Sequence, residues 1–273
     1  MIYILCGPGG SGKSTLADYI CHGDWAGKHP MRIKQYTTRP PRKVKLYQYG
    51  GEFAGDVANK SYGEYVYISD DLFDEENRSG QYIEASEYVQ KDGSVWKYGT
   101  DRRTFNMTAA QDYVLVTNSS GVSQIVEKLS KEERKDIVVV LLWADEMTRV
   151  RRMVARGDSI DKIEARLRND FDWYESRYFM ESDNIRFLTV LSSRLPDEEC
   201  ARKLNKEVDL VLDTESGLSI EDLWKVIKRF GETRNYKERC YIRNQFLPDK
   251  LMRLFMRDSL YVLEHDPELD ICD

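Results

Sequence analysis

The hydrophobic positions of this chain fall into short continuous runs that alternate with charged segments of helical spacing. Three runs have the length of a strand, at residues 2–6, 113–117 and 137–143, and a fourth follows at 208–212. Continuous rather than alternating apolarity is typical of strands that are buried on both faces of a parallel sheet. The pattern therefore predicts an α/β fold with helices on both faces of a central parallel sheet.

The segments between and after these runs carry apolar residues at the spacing of an amphipathic helix. They predict helices at residues 13–20, 122–131, 146–155, 160–178 and 219–230.

Two parts of the chain depart from this rhythm. Residues from about 34 to 100 are rich in Tyr, Gly and Ser with short alternating stretches, which indicates a small strand-rich insertion. Beyond residue 230 the pattern changes again, and Leu247-Pro248-Asp249 is expected to open a further helix. We therefore expect a main domain at 1–230 and a helical appendage at 231–273, which either stands apart or packs on the core.

Composition narrows the choice of protein class. Of 273 residues, 41% are hydrophobic and 32% charged, which is enough to build a full core. A formal net charge of -6 argues against stable binding to nucleic acid, and no apolar run approaches the length of a membrane span. The five cysteines form no CxxC pair, so neither a zinc site nor a disulfide framework is expected. We expect a soluble cytoplasmic protein, and the sequence leaves its oligomeric state open.

A glycine-rich segment follows the first predicted strand and opens the first predicted helix. It matches the phosphate-binding pattern G-x-x-x-x-G-K-[ST], known as a P-loop. Its residues are candidate ATP ligands: Gly7, Gly9, Gly10, Ser11, Gly12, Lys13, Ser14 and Thr15.

The chemistry of this segment suits a nucleoside triphosphate. Glycines let successive backbone N–H groups approach a phosphate, and the amino-terminal end of the helix adds its positive dipole. Lys13 is expected to bridge the β- and γ-phosphates, while the Ser14 hydroxyl is expected to ligate Mg²⁺. The motif alone names no second substrate, because many classes of enzyme use it.

Further along, the sequence resembles the guanylate kinase family. Gln35-Tyr36-Thr37-Thr38-Arg39-Pro40-Pro41-Arg42 is similar to the Ser-Thr-Thr-Arg-x-Pro-Arg segment of that family. Other matching pieces follow in the family's order, at 63–69, 80–84, 98–100, Gly121, 152–157 and 165–167. The resemblance runs from residue 1 to about 168, with a weaker echo at 208–213.

The resemblance implies a three-layer P-loop kinase fold. The insertion at about 34–100 would bind the nucleoside monophosphate, and a lid at about 149–168 would bear arginines. It also implies roles for individual residues. Arg39, Arg42, Tyr65 and Tyr98 would hold the acceptor phosphate, and Gln35, Glu84 and Thr100 would contact the base. Arg152, Arg156 and Arg166 would close over the transferring phosphoryl group, and together with Lys13 and Arg39 they are the candidate catalytic residues.

Several positions depart from the family pattern. Gln35 replaces the usual Ser, and the loop after Arg42 is longer than expected. The family's Asp-x-Asp reads Val116-Thr117-Asn118 here, which removes one acid near the base and one near the metal. These departures leave open a specialised enzyme, for instance one of a bacteriophage nucleotide pathway.

The expected activity is ATP-dependent phosphorylation of a nucleoside or deoxynucleoside monophosphate, with GMP or dGMP favoured. Two alternatives remain at this point. One is a P-loop kinase of another small molecule or of a nucleic-acid end. The other is a guanylate-kinase-like module that binds without catalysis, although such modules typically lose the lysine that is present here as Lys13.

Overall fold

The structure is a computed structural model that describes residues 1–41, 61–62, 65–90, 93–106, 111–169 and 207–247. Its strands are, in chain order, β1 Ile2–Cys6, β2 Met31–Arg32, β3 Gln35–Thr37, β4 Ser61–Tyr62, β5 Tyr65–Tyr67, β6 Tyr82–Val89, β7 Val95–Asp101, β8 Tyr113–Val116, β9 Ile137–Trp143 and β10 Leu210–Asp213. Its helices are α1 Lys13–His22, α2 Asp70–Arg78, α3 Ser119–Lys128, α4 Lys131–Arg134, α5 Glu146–Ala155, α6 Ile160–Asn169, α7 Ile220–Glu232 and α8 Tyr236–Phe246.

The central sheet has five parallel strands in the order β10-β9-β1-β8-β2. Every residue of β1 and β9 is buried, as their continuous apolar runs predict. Because the strands are parallel, their carboxyl ends lie at one edge of the sheet, and the loops that follow β1, β8 and β9 meet there. This topology confirms the predicted α/β fold with a central parallel sheet.

Helices cover both faces of this sheet, which completes the three layers. Alternate residues of β1 point to opposite faces: Ile4 belongs to the cluster that includes α3, whereas Leu5 belongs to the cluster that includes α1, α7 and α8. Full burial of an aliphatic side chain is worth roughly 1.5–3 kcal/mol, so these two clusters are the main source of stability.

A second sheet is inserted between β2 and β8. Its strand order is β4-β5-β3-β7-β6, with β3 and β5 parallel and the other pairs antiparallel. Helix α2 packs on it through Phe73, which stacks on Tyr82 at 4.8 Å between ring centroids. The strand-rich insertion predicted at about 34–100 is therefore present, although residues 42–60, 63–64 and 91–92 within it lie outside the described residues.

Helices α5 and α6 form a pair beside the sheet edge and occupy the segment in which a lid is expected, at about 149–168; that they act as a lid stays a prediction. Met153 of α5 packs against Ile163 and Leu167 of α6. The bounds predicted for α5 are confirmed. The helix predicted at 160–178 is described as far as Asn169.

Within the described residues, the chain after β10 forms two helices, and the second lies in the region where a helical appendage is expected, although its own bounds were not predicted. Helix α8 buries Ile242 against the same face as α7, and Leu247 enters the opposite core cluster. The helix predicted to open at Leu247 falls mainly on residues beyond 247, outside those described. A boundary at residue 231 stays a prediction, but α8 itself packs on the core. Among the described helices, none is long and apolar enough to cross a lipid bilayer.

Candidate active site

The phosphate-binding loop connects β1 to α1 and packs tightly on its surroundings. Gly10 has a φ of 82°, and a Cβ there would lie 2.8 Å from the carbonyl oxygen of Arg149 in α5. A side chain at this position would therefore be strained and would collide with α5. Glycine is required for the close approach of the loop to this helix.

Lys13 lies over the loop at the start of α1. Its Nζ donates hydrogen bonds to the carbonyl oxygens of Gly7 and Pro8 over 2.7 and 2.8 Å. Ser14 and Thr15 are exposed in the first turn of the helix, whereas Ser11 is fully buried in the loop. The remaining predicted ATP ligands, Gly7, Gly9 and Gly12, lie in the same turn, so the predicted segment is one continuous loop that leads into the positive end of a helix.

Three residues predicted to contact the base lie in one hydrogen-bonded cluster, which we call the base triad: Gln35, Glu84 and Thr100. Glu84 and Thr100 are cross-strand partners in β6 and β7, and both are buried. The Thr100 hydroxyl donates to Glu84 Oε1 over 2.6 Å, and the Gln35 amide donates to the same oxygen over 2.8 Å.

The charge state of the triad depends on its burial. Removal from water raises the pKa of the Glu84 carboxyl above its ordinary value, and the hydrogen bonds from Thr100 and Gln35 offset only part of this rise. A buried carboxylate with only part of its hydrogen-bonding capacity used is a strong acceptor for a donor that enters the site.

The amino-terminal end of α3 lies directly against Glu84. A Cβ at Gly121 would lie 2.2 Å from Thr117 Oγ1 and 3.0 Å from Glu84 Oε2, so only glycine fits. Asn118 caps the helix by accepting from the Gly121 N–H over 2.7 Å, and its amide also donates to the Tyr88 hydroxyl. Asn118 thus serves as a neutral helix cap at a position where the family has an acid.

The triad and the phosphate-binding loop lie at the same edge of the central sheet. Thr117 follows β8, and its N–H donates to the carbonyl oxygen of Leu5 over 3.1 Å in β1, two residues before the loop begins. Contact between Glu84 and the α3 end therefore connects the inserted sheet to this edge.

Tyr88 is a residue of this region that the sequence analysis missed. It lies four residues after Glu84 in β6, so both side chains stand on the same face of the strand. Its ring meets that of Tyr98 at 5.5 Å, and Tyr98 meets Tyr65 at 5.7 Å. The same-face spacing in β6 is the signal that would have found it.

Arg39 follows β3, and its guanidinium lies 5.0 Å from the centroid of the Trp96 ring. Its backbone N–H donates to the Thr37 hydroxyl over 3.1 Å, and that hydroxyl donates to the Lys97 carbonyl over 2.8 Å. These bonds fix the segment that carries the arginine. Arg42, the second arginine predicted to hold the acceptor phosphate, lies outside the described residues.

The three predicted lid arginines occupy two environments. Arg152 donates to the Thr214 hydroxyl and carbonyl over 2.9 and 3.0 Å, which ties α5 to the turn after β10. Arg156 and Arg166 both pair with Asp158, whose side chain is mostly buried. Burial raises the pKa of Asp158, but these two guanidinium groups outweigh it and hold the pKa below its ordinary value.

A second missed residue is Arg149, which is buried in α5 with 7% of its surface exposed. Its guanidinium lies 3.4 Å from the Gly9 carbonyl oxygen. Read from the sequence, it was one member of a run of arginines and had no assigned role.

A glycine-rich loop between the first strand and first helix of a parallel sheet, with arginines on an adjacent helix pair, defines a P-loop kinase. A guanylate kinase of Lactococcus lactis subsp. lactis (strain IL1403) is 30% identical over 171 residues, covering 61% of this chain and 70% of that protein. One of Geobacter sulfurreducens is 26% identical over 210 residues, covering 73% and 90%. A crystal structure of guanylate kinase from Anaplasma phagocytophilum has a TM-score of 0.44 at 14% identity, with 95% of both chains covered.

No model of a protein family matches the chain. The similarity to the two curated relatives nevertheless shows that the chain belongs to the guanylate kinase family. Its class is accordingly that of the nucleoside monophosphate kinases.

Proposed function

We propose that this enzyme transfers the γ-phosphoryl group of ATP to GMP or dGMP and so forms the diphosphate. The observation that carries the choice of base is the base triad, in which a buried carboxylate faces the α3 end with two donors on its other oxygen. The names of the two curated relatives agree with this choice of base.

The hydrogen-bonding capacity of the triad suits guanine. Guanine presents N1–H and N2–H₂ donors to a carboxylate, whereas adenine presents an unprotonated N1 and no N2 group. Gln35 carries a donor that can turn from Glu84 to guanine O6. A base that leaves these buried groups unpaired costs roughly 1–3 kcal/mol per group. Val116 and Asn118 in place of acids reduce negative charge near the base, so activity on at least one other monophosphate is expected.

The phosphates are assigned to the basic residues of the site. Lys13 would lie against the β- and γ-phosphates, and Arg39, with the Tyr65 and Tyr98 hydroxyls, would hold the acceptor phosphate. Arg152, Arg156 and Arg166 would neutralise charge on the phosphoryl group in flight. Arg156 and Arg166 pair with Asp158 in the structure, so each would have to leave that carboxylate in order to bind phosphate oxygens.

A magnesium ion fits this site through one protein ligand. Mg²⁺ bound to a nucleotide usually takes few protein ligands and fills its shell with phosphate oxygens and water. The exposed Ser14 hydroxyl at the start of α1 would be that ligand. Within the described part of the chain there is no cluster of three His, Cys, Asp or Glu residues that would bind a metal without nucleotide. The ion would supply charge neutralisation between the β- and γ-phosphates.

The reaction needs no side-chain base or nucleophile, because the attacking phosphate oxygen is already ionised at neutral pH. Catalysis would rest on positioning and on charge neutralisation by Lys13 and the arginines. The retained Lys13 distinguishes this proposal from a non-catalytic binding module.

The test is a coupled ADP-release assay with ATP and each of the eight common ribo- and deoxyribonucleoside monophosphates. GMP or dGMP should give the highest kcat/KM. A pyrimidine monophosphate as the best acceptor would overturn the assignment of the base triad. ADP release that does not depend on any monophosphate would overturn the kinase proposal itself.

A further inference from the structure

Helix α5 places a buried arginine against the phosphate-binding loop. Arg149 is 7% exposed, and its backbone touches the position that a Gly10 side chain would occupy. Its guanidinium lies 3.4 Å from the Gly9 carbonyl oxygen. Burying a charged guanidinium costs free energy. A buried position of a helix would therefore ordinarily carry an apolar side chain.

Arg152 repeats this contact one turn further along the helix. Residues three apart share a helix face, and the Arg152 guanidinium lies 3.4 Å from the carbonyl oxygen of Gly10. Two bonds to Thr214 hold Arg152 in place. Two arginines on one face of α5 therefore meet two consecutive carbonyl groups of the loop.

The geometry of a peptide gives this contact a consequence for phosphate binding. In a planar trans peptide the C=O and N–H groups point in opposite directions. An arginine that attracts the Gly9 carbonyl toward α5 therefore turns the Gly10 N–H away from α5, toward the opposite side of the loop. Successive N–H groups presented in this way form an anion site.

The positive charge of Arg149 also favours the binding of phosphate in the loop. A guanidinium stays protonated under all ordinary conditions. Because it is buried, its attraction for an anion in the loop is screened less than that of an exposed arginine.

We infer that Arg149 is a positioning residue for the donor nucleotide: it orients the Gly9–Gly10 peptide toward the phosphates and places a fixed positive charge behind them. This inference rests on the proposed placement of ATP in the loop, and it is independent of which monophosphate accepts the phosphoryl group.

The test compares three variants of the full chain: Arg149→Met, Arg149→Lys and, as a matched control, Arg151→Met. Arg151 lies in the same helix but is exposed. Methionine approximates the length of arginine without its charge, and lysine keeps the charge without the planar group. The readouts are the Kd for ADP by titration calorimetry, which needs no acceptor, and the separate KM values for ATP and for the best monophosphate.

Arg149→Met should raise the Kd for ADP and the KM for ATP about tenfold or more, which corresponds to the loss of one charge-assisted interaction. The KM for the monophosphate should stay within about twofold, and Arg149→Lys should fall between wild type and Met. Arg151→Met should bind ADP like wild type.

Thermal unfolding without nucleotide separates this role from simple packing. Unchanged ADP affinity in Arg149→Met, with or without a loss of stability, would overturn the inference. So would an equal loss in Arg151→Met, or an equal rise of both KM values. If Arg149→Met does not fold, the Kd for ADP is measured with Arg149→Lys instead. Wild-type affinity for ADP in that variant would contradict the inference. Loss of GMP specificity alone would count against the base assignment and not against Arg149.

Discussion

Glu84→Gln is the substitution that examines guanine recognition most sharply. The Glu84 Oε1 accepts hydrogen bonds of 2.6 and 2.8 Å from Thr100 and Gln35, which fix the carboxylate in its buried position. In the variant the amide oxygen can still accept one bond, but the amide nitrogen now meets a second donor of guanine.

The magnitude follows from that mismatch. One hydrogen bond to a charged group is lost, and one buried donor of the base is left unpaired. Together these cost roughly 2–4 kcal/mol, so kcat/KM for GMP should fall about 30- to 1,000-fold.

Steady-state ADP release with GMP and with AMP measures this effect. The KM for ATP should change little, and the exposed Glu87→Gln on the same strand is the matched control. The reasoning is refuted if Glu84→Gln loses less than about threefold on GMP, or if it loses as much on AMP as on GMP.

The pH dependence follows from the raised pKa of Glu84. The proposed recognition of guanine uses the ionised carboxylate, so kcat/KM for GMP should fall as the pH drops through a value above the ordinary range of glutamate. The folding stability changes with pH in the opposite direction. A raised pKa in the folded state contributes stability that is present at low pH and is lost as the pH rises through that pKa. Glu84→Gln should therefore unfold at a higher temperature than wild type at pH 7. A lower melting temperature there would contradict this sign.

Three further predictions concern the phosphates and the carboxyl-terminal helix. Lys13→Ala should lower kcat about 100-fold or more with little change in monophosphate binding, and near wild-type turnover would contradict its placement on the donor phosphates. Arg39→Ala should raise the KM of the monophosphate while Arg156→Ala lowers kcat, and steady-state kinetics that show the reverse pattern would exchange the two roles. Deletion of residues 231–273 should destabilise the protein by several kcal/mol, because it removes the buried Ile242 and Leu247, and an unchanged melting temperature would contradict the packing of this helix on the core.

The sequence predicted the central sheet well for a physical reason. Strands buried on both faces require continuous apolar runs, and the predicted bounds of β1 and β9 agree with the structure. Helix α5 was also predicted with its observed ends, since its apolar positions recur at helical spacing. Local patterns of this kind are imposed by burial alone.

Helix α8 was missed because its sequence carries almost no such pattern. Among its residues only Ile242 is buried, and polar residues occupy most of the remaining positions. Its packing is set by contact with β10 and α7, which lie earlier in the chain, and not by its own periodicity.

The parts of the candidate site also differ in how well the sequence predicts them. The phosphate-binding loop is one continuous motif, so the sequence alone identifies it. The base triad joins Gln35 to a residue 49 positions away, and it was assembled only through the family resemblance. Arg149 meets Gly9 across 140 positions, and nothing local distinguishes it from the exposed Arg151 two positions away.

The central claim is tested most directly by following the γ-phosphoryl group itself. ATP labelled with ¹⁸O in the γ-phosphoryl group would be incubated with Mg²⁺, GMP and the enzyme, and the products analysed by mass spectrometry. We predict labelled GDP in amounts equal to the ADP formed, and labelled GDP formed about 100-fold or more slowly with Lys13→Ala. Label found only in inorganic phosphate, or no release of ADP in the presence of GMP, would contradict the account.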